Sequence, residues 1–240
     1  MKKIFFILFF ISLISFGQSD RKNVFEASYI KAKYGMDSAF EEAVKKHIKS
    51  FYNADVYSYF GRVSYGHRAG EYVWINGPMQ MDFLDKISKK RKEDWENNVL
   101  SKAEITDSNL YRNHPEYSSI SDSKSGSGKI AFVRGFRYKN QNTTFHLLKR
   151  LKEMSDISTG CNPYFVVTPI SKIEGEPDFF IVRHLSSMGE FDEDDIFDKK
   201  NCNVGEIFQS EMSREEREGI FKMWGDNFEV LFSHFRIKID

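Results

Sequence analysis

The chain has 240 residues, 35 basic and 35 acidic side chains, and 40% hydrophobic residues with 23 Phe. That length supports one large domain or two small ones with proper cores. The chain is too apolar for disorder and too charged for a polytopic membrane protein. Zero net charge lacks the basic surplus that nonspecific nucleic-acid binding needs.

The N-terminus reads as a secretory signal, residues 1–17. Lys2 and Lys3 precede an apolar stretch from Ile4 to Phe16, interrupted only by Ser12 and Ser15. A spanning helix needs roughly 20 apolar residues, so this stretch is too short to cross a bilayer. Ser15 and Gly17 put small residues at positions −3 and −1 of a cleavage site after Gly17, and no Cys follows to carry a lipid. No later segment is apolar enough to span a membrane, so a soluble, exported (periplasmic or secreted) protein is expected. An oxidising compartment permits a disulfide between Cys161 and Cys202, which would close a loop of about 40 residues; two inert free thiols are the alternative.

In the first half, Val24–Tyr34 is strand-like. Ser38-Ala39-Phe40-Glu41 has the form of a capping box. Phe40, Ala43, Val44, His47, Ile48 and Phe51 then share one helical face. Strands follow at Asp55–Val63 and Glu71–Gly77, then a charged helix over 82–98 and a short strand at Asn109–His114. Residues 118–128, SSISDSKSGSG, read as a connector. Beyond it come a strand at Lys129–Tyr138, a helix at Thr144–Met154 and strands at Tyr164–Ile170 and Asp178–His184. A capping box at Ser213-Arg214-Glu215-Glu216 opens a helix to about Gly225, and Glu229–Ile239 is the last strand.

The order repeats, and so do the spacings. Phe40 to Tyr72 is 32 residues and Phe145 to Phe179 is 34; Trp95 and Trp224 hold similar places in the late helices. Each half, 18–117 and 129–240, is therefore β-α-β-β-α-β, the ferredoxin-like motif. A four-stranded sheet with both helices on one face leaves the other face bare, and two such sheets can cover each other. In this element order the chain resembles the dimeric α+β barrel superfamily, which includes monooxygenase-like and NIPSNAP-like proteins. The resemblance implies an α+β fold of two tandem ferredoxin-like repeats forming an intrachain barrel, a monomer with an internal pseudo-dimer. It also implies a cleft for a small organic ligand, which is haem in some members. It carries no catalytic residue over, because no family motif is matched residue by residue.

Nucleophile elbows, HExxH, CxxC and dinucleotide fingerprints are absent from the sequence. His47, on the apolar helix face, reads as a core histidine, and the acidic run Phe191–Asp198 as a solvated loop without EF-hand spacing. Asn142-Thr143-Thr144 reads as a helix N-cap cluster. The last strand carries His234 and Arg236 on one face, Arg183-His184 ends another strand, and Arg134 lies in the strand that opens the second half. Turned into a barrel, these groups would suit an anionic, partly planar ligand, with Tyr57, Tyr59 and Trp74 as apolar wall. The alternative is that they face solvent or pair with carboxylates. No metal site is expected. Three function classes remain open: a small-ligand binding protein, a small-molecule enzyme of monooxygenase or haem-handling type, and a noncatalytic cell-envelope interaction module.

Overall fold

Alternation along the strands sets the architecture: successive side chains point to opposite faces, so each strand has one face turned to the helices and one turned inward. The computed structural model describes residues 22–52, 58–119, 128–158, 163–191 and 204–239. The strands are β1 (Val24–Ala32), β2 (Ser58–Gly66), β3 (Tyr72–Met79), β4 (Ala103–Asn113), β5 (Ile130–Tyr138), β6 (Tyr164–Pro169), β7 (Phe179–Leu185) and β8 (Phe228–Lys238). The helices are α1 (Asp37–Phe51), α2 (Lys89–Asp94), α3 (Gln141–Ile157), α4 (Val204–Glu211) and α5 (Arg214–Asn227). The signal segment, Tyr57, Cys161, Cys202 and the acidic run beyond Phe191 lie outside the described residues.

The strands close into one antiparallel barrel in the order β1-β3-β2-β8-β5-β7-β6-β4. Each half contributes a sheet of four, β4-β1-β3-β2 and β8-β5-β7-β6. The halves join at two seams, β2 with β8 and β4 with β6. Both halves carry a β-bulge at the same place: the register slips after Tyr29, sixth residue of β1, against β4, and after Gly135, sixth residue of β5, against β8. A shared bulge position is a stronger mark of duplication than spacing, since bulges are built into a strand's geometry.

The helices cover the outer faces. Phe40 and Val44 of α1 pack on Ile30, Phe60, Tyr72 and Trp74; Leu148 and Leu151 of α3 pack on Phe136, Tyr164, Val166 and Phe179. Full burial of each such side chain stabilises by roughly 1.5–3 kcal/mol. Stacked pairs mark both outer faces, Phe60 with Tyr72 at 5.5 Å and Phe136 with Phe179 at 5.0 Å. α4, not anticipated from sequence, joins α3 through Met154, Phe208 and Met212.

Local chemistry shifts several boundaries. α1 starts at Asp37, with no side-chain cap on Met36, so Ser38 lies inside the helix. Glu41 accepts a hydrogen bond from the Tyr72 hydroxyl, which also donates to Asp37. α3 begins earlier than expected, capped by Asn140, whose side chain accepts from Thr143 N. The helix expected over 82–98 is a 3₁₀ segment (Met81–Lys86), then α2, then a π turn (Trp95–Val99). β4 begins six residues earlier than expected, at Ala103. Two residues assigned to the connector belong to the fold: Ser119 bridges Tyr164, and the Ser118 hydroxyl accepts from Val166 N. No helix among the described residues is long and apolar enough to cross a membrane.

Candidate ligand site in the barrel

Inward-facing side chains of all eight strands line a cavity of about 390 Å³. Most of the lining is apolar: Phe25, Ala27, Ile75, Pro78, Val133, Phe165, Val167, Phe180 and Val182. Polar character is confined to a few groups: Arg236, His184, Asn113, the phenols of Tyr29, Tyr59 and Tyr111, and Lys22, which is exposed. A volume of this size lined this way is within the range of small-molecule sites.

One row of residues gives the cavity its chemistry. Ala131 of β5 lies directly opposite His184 on β7 and directly opposite Arg236 on β8. Side chains facing each other across neighbouring antiparallel strands point to the same side, so all three enter the lumen. Arg236 is 6% exposed. Its Nε donates to His234 Nε2 at 2.9 Å, and its Nη2 donates to the Tyr29 hydroxyl at 2.5 Å. Neither partner carries a negative charge, and among the described residues no carboxylate pairs with it. Burying a cation without an anion is costly. The guanidinium's spare donors therefore make a ready anion site.

The imidazoles are held neutral. Burial, reinforced by Arg236, pushes His184 down to about 4. Burial with Arg236, His67 and Arg68 pushes His234 down to about 2. Because Arg236 donates to Nε2 of His234, the ring proton sits on Nδ1. The His184 ring has no hydrogen-bond partner among the described residues; its Nδ1 is buried unpaired, and the ring meets Phe165 edge to face at 5.5 Å.

The far end of the barrel is plugged by the β2–β3 turn. Arg68, at φ 66°, lies 4.4 Å over the Tyr29 ring and pairs with Asp107 at 2.6 Å and Glu71 at 3.3 Å. His67 is exposed and stacks on Phe232. The cationic plug is thus charge-balanced, unlike Arg236.

Strand parity sorts the residues proposed from sequence. His184, Arg236 and Tyr59 line the cavity, and His234 lies behind them in the same wall. Arg183 and Arg134 do not enter it: each falls between inward neighbours (Val182 and His184, Val133 and Gly135), so each points outward. Arg134 lies over Phe132 on the outer face. Trp74 also faces outward, between Val73 and Ile75. It packs on Trp95 at 4.3 Å and on His47, and donates to Ser58. His114 closes β4 through Glu116 and Thr168. His47 is a buried histidine whose Nδ1 bonds Asp94 at 2.7 Å; burial outweighs that carboxylate and lowers its pKa, while the bond also lowers that of Asp94. Sequence reasoning missed Tyr29, Tyr111 and Ala131. The alternation Phe25-Ala27-Tyr29 was a usable signal for the first; only register reveals the small Ala131.

Eight strands from two βαββαβ sheets, helices outside and a ligand-sized lumen define the dimeric α+β barrel, here closed within one chain. Solved structures with the same fold include a provisionally named monooxygenase from Fusobacterium nucleatum (TM-score 0.56, 9% identity, 91% of this chain and 93% of that one). Another, from Lactobacillus acidophilus, has TM-score 0.54 and 10% identity over 91% and 94%. A mutant chlorite dismutase from Candidatus Nitrospira defluvii gives TM-score 0.51 and 8% identity over 91% and 92%. At such identities the likeness is one of fold. No protein-family model and no curated protein matches the chain.

Haem, which the fold brings to mind, does not fit the residues described. In the second half the space between sheet and helices is filled by Phe136, Leu148, Leu151, Phe179 and Trp224. The one histidine of α3, His146, is exposed. In the first half His47 does face the sheet, but its Nδ1 is tied to Asp94 and its ring is enclosed by Phe51, Tyr52, Trp74 and Trp95. Neither interface offers a planar slot beside a free imidazole.

Proposed function

We propose that this protein binds a small organic anion inside the barrel formed by its two repeats, and that it does so after export. The observation that carries the reading is Arg236: a buried guanidinium, bonded among the described residues only to neutral groups, on the wall of a mostly apolar cavity. A carboxylate would supply the missing charge and accept the remaining guanidinium donors, while an apolar body would fill the space between Phe25, Val133 and Phe180. Export rests on Lys2, Lys3 and the apolar stretch to Phe16.

Calorimetric titration with benzoate and with the neutral benzamide tests the binding reading. Benzoate is expected to bind and benzamide to bind at least about 30-fold more weakly, the ~2 kcal/mol of a charge-assisted hydrogen bond. Arg236→Met should bring the two together. Equal binding of both by the unaltered chain would overturn the reading. N-terminal sequencing of protein recovered from the extracytoplasmic fraction tests export, with Gln18 expected as the first residue.

A further inference from the structure

The repeat predicts what the cavity should look like if both halves had stayed alike, and they have not. Ala131 is the second residue of β5, and Arg236 lies opposite it on β8. The matching residues of the first half are Phe25, second in β1, and Tyr111, opposite it on β4. On the third strand, His184 is matched by the Gly77–Pro78 corner, of which Pro78 lines the cavity. β1 and β5 are four strands apart in an eight-stranded ring, so these rows face each other across the lumen. One wall is therefore cation, gap, imidazole; the other is phenol, benzyl ring, proline.

The gap is the second observation. Ala131 is the smallest side chain of the polar row. Arg236 and His184 flank it at one strand spacing each, so their backbones stand roughly 9–10 Å apart. His184 is turned into the cavity with no partner for its ring nitrogens among the described residues. A buried polar group without a partner is destabilising, unless something that binds there supplies one. A neutral imidazole offers one N–H and one lone pair, and a hydroxyl satisfies either. A carboxylate has no proton to donate and could use only the ring N–H, whereas a hydroxyl can serve either nitrogen.

We infer that the anion taken by this site is a flat, ring-bearing carboxylate that also carries a hydroxyl group. Its carboxylate lies on Arg236, its hydroxyl reaches His184, and its ring lies over Ala131 against Phe25 and Tyr111. The inference rests on the anion-binding reading above and narrows it to a ligand class. It also assigns discrimination to His184: a site built to bond a hydroxyl rejects the analogue lacking it, because its own polar group is then stranded.

Matched probes separate the inference from the reading beneath it. Benzoate, 3- and 4-hydroxybenzoate, the corresponding fluorobenzoates and the benzene dicarboxylates are titrated into the purified full chain by calorimetry. At least one hydroxybenzoate is expected to bind about tenfold or more tightly than both benzoate and its fluoro analogue. His184→Leu should erase that preference, with an unchanged circular dichroism spectrum and thermal transition showing that the variant is folded. His184→Gln should keep part of the preference, and Ala131→Leu should weaken every ring-bearing anion. If benzoate binds but hydroxyl and fluorine are not distinguished, the hydroxyl assignment is wrong and anion binding stands. Tighter binding of a dicarboxylate than of both hydroxybenzoates would likewise overturn it, as would a hydroxyl preference that survives His184→Leu. If none of the anions binds, the anion reading itself fails.

Discussion

His184 and His234 tie the cavity's chemistry to pH. Both are neutral in the folded chain, with pKa values of about 4 and about 2, against an ordinary value of 6.5. Once unfolded, they regain the ordinary value and take up protons as pH falls below about 6.5, which the folded chain does not do until near pH 4 or lower. The unfolded state then binds more protons, so stability is full above pH 6.5 and declines as pH drops through that window. Urea titrations at pH 7, 6, 5 and 4 should show a falling midpoint, and His184→Gln should flatten the fall between pH 6.5 and 4. An unchanged pH slope in the variant would contradict the burial of this ring. Arg236 is a buried cation with no carboxylate partner among the described residues. Removing it relieves a buried cation but takes the donor away from His234 Nε2 and the Tyr29 hydroxyl, two opposed effects, so the Arg236→Met chain is expected to keep its Tm within about 5 °C of the parent even as it loses benzoate.

At the scale of elements, helix starts show where local signals suffice and where they do not. Ser213-Arg214-Glu215-Glu216 forms the full capping box, with Ser213 Oγ accepting from Glu216 N at 3.2 Å and Glu216 accepting from Ser213 N at 2.8 Å. These groups lie on the surface with nothing competing for them. Ser38 and Glu41 match the same pattern, yet no box forms, because the buried Tyr72 hydroxyl bonds Glu41 and Asp37 and draws the helix start forward. Ser213→Ala should cost about 1 kcal/mol of stability, whereas Ser38→Ala should cost little. Further along α5, Gly219 has open space at its Cβ position. Gly219→Ala should therefore raise stability by about 0.5–1 kcal/mol. Thermal unfolding of the three variants checks all of this. The charged helix of the first half illustrates the opposite case. Its charge pattern suggested one helix, but Trp95 must stack on Trp74 and Val99 must be buried. The chain passes through these two residues as a π turn, with Val99 fully buried against the sheet.

At the scale of the whole molecule, the cavity exists only because two seams close the ring. At the β2–β8 seam, Gly66 sits at φ 85° opposite His234, and a Cβ there would lie 2.3 Å from the Ser233 carbonyl oxygen. Gly66→Val forces the seam apart behind Arg236 and His234. A fall in Tm of about 5–10 °C is expected, on the order of 2–3 kcal/mol for a chain of this size, together with loss of benzoate binding. Gly70→Ala, also at positive φ but with free space around it, should keep binding and shift Tm less. A haemin titration should give no saturable Soret change, because both helix-facing interfaces are filled. A saturable band lost on substituting His184 would overturn that expectation.

The sequence by itself determined the order of elements, the duplication and the α+β class, because hydrophobic period and turn residues act locally and were written twice. It also marked His184, His234 and Arg236 as strand residues of interest, since such side chains stand out in apolar strands. It could not decide which of the strand arginines, Arg134, Arg183 or Arg236, faces the lumen. That depends on strand parity, which a single bulge or boundary shift reverses. Nor could it bring Tyr29 to Arg236 across 207 residues, or show that Ala131 leaves a gap between a cation and an imidazole from two other strands. Those relations belong to barrel closure, where residues far apart in the chain become neighbours.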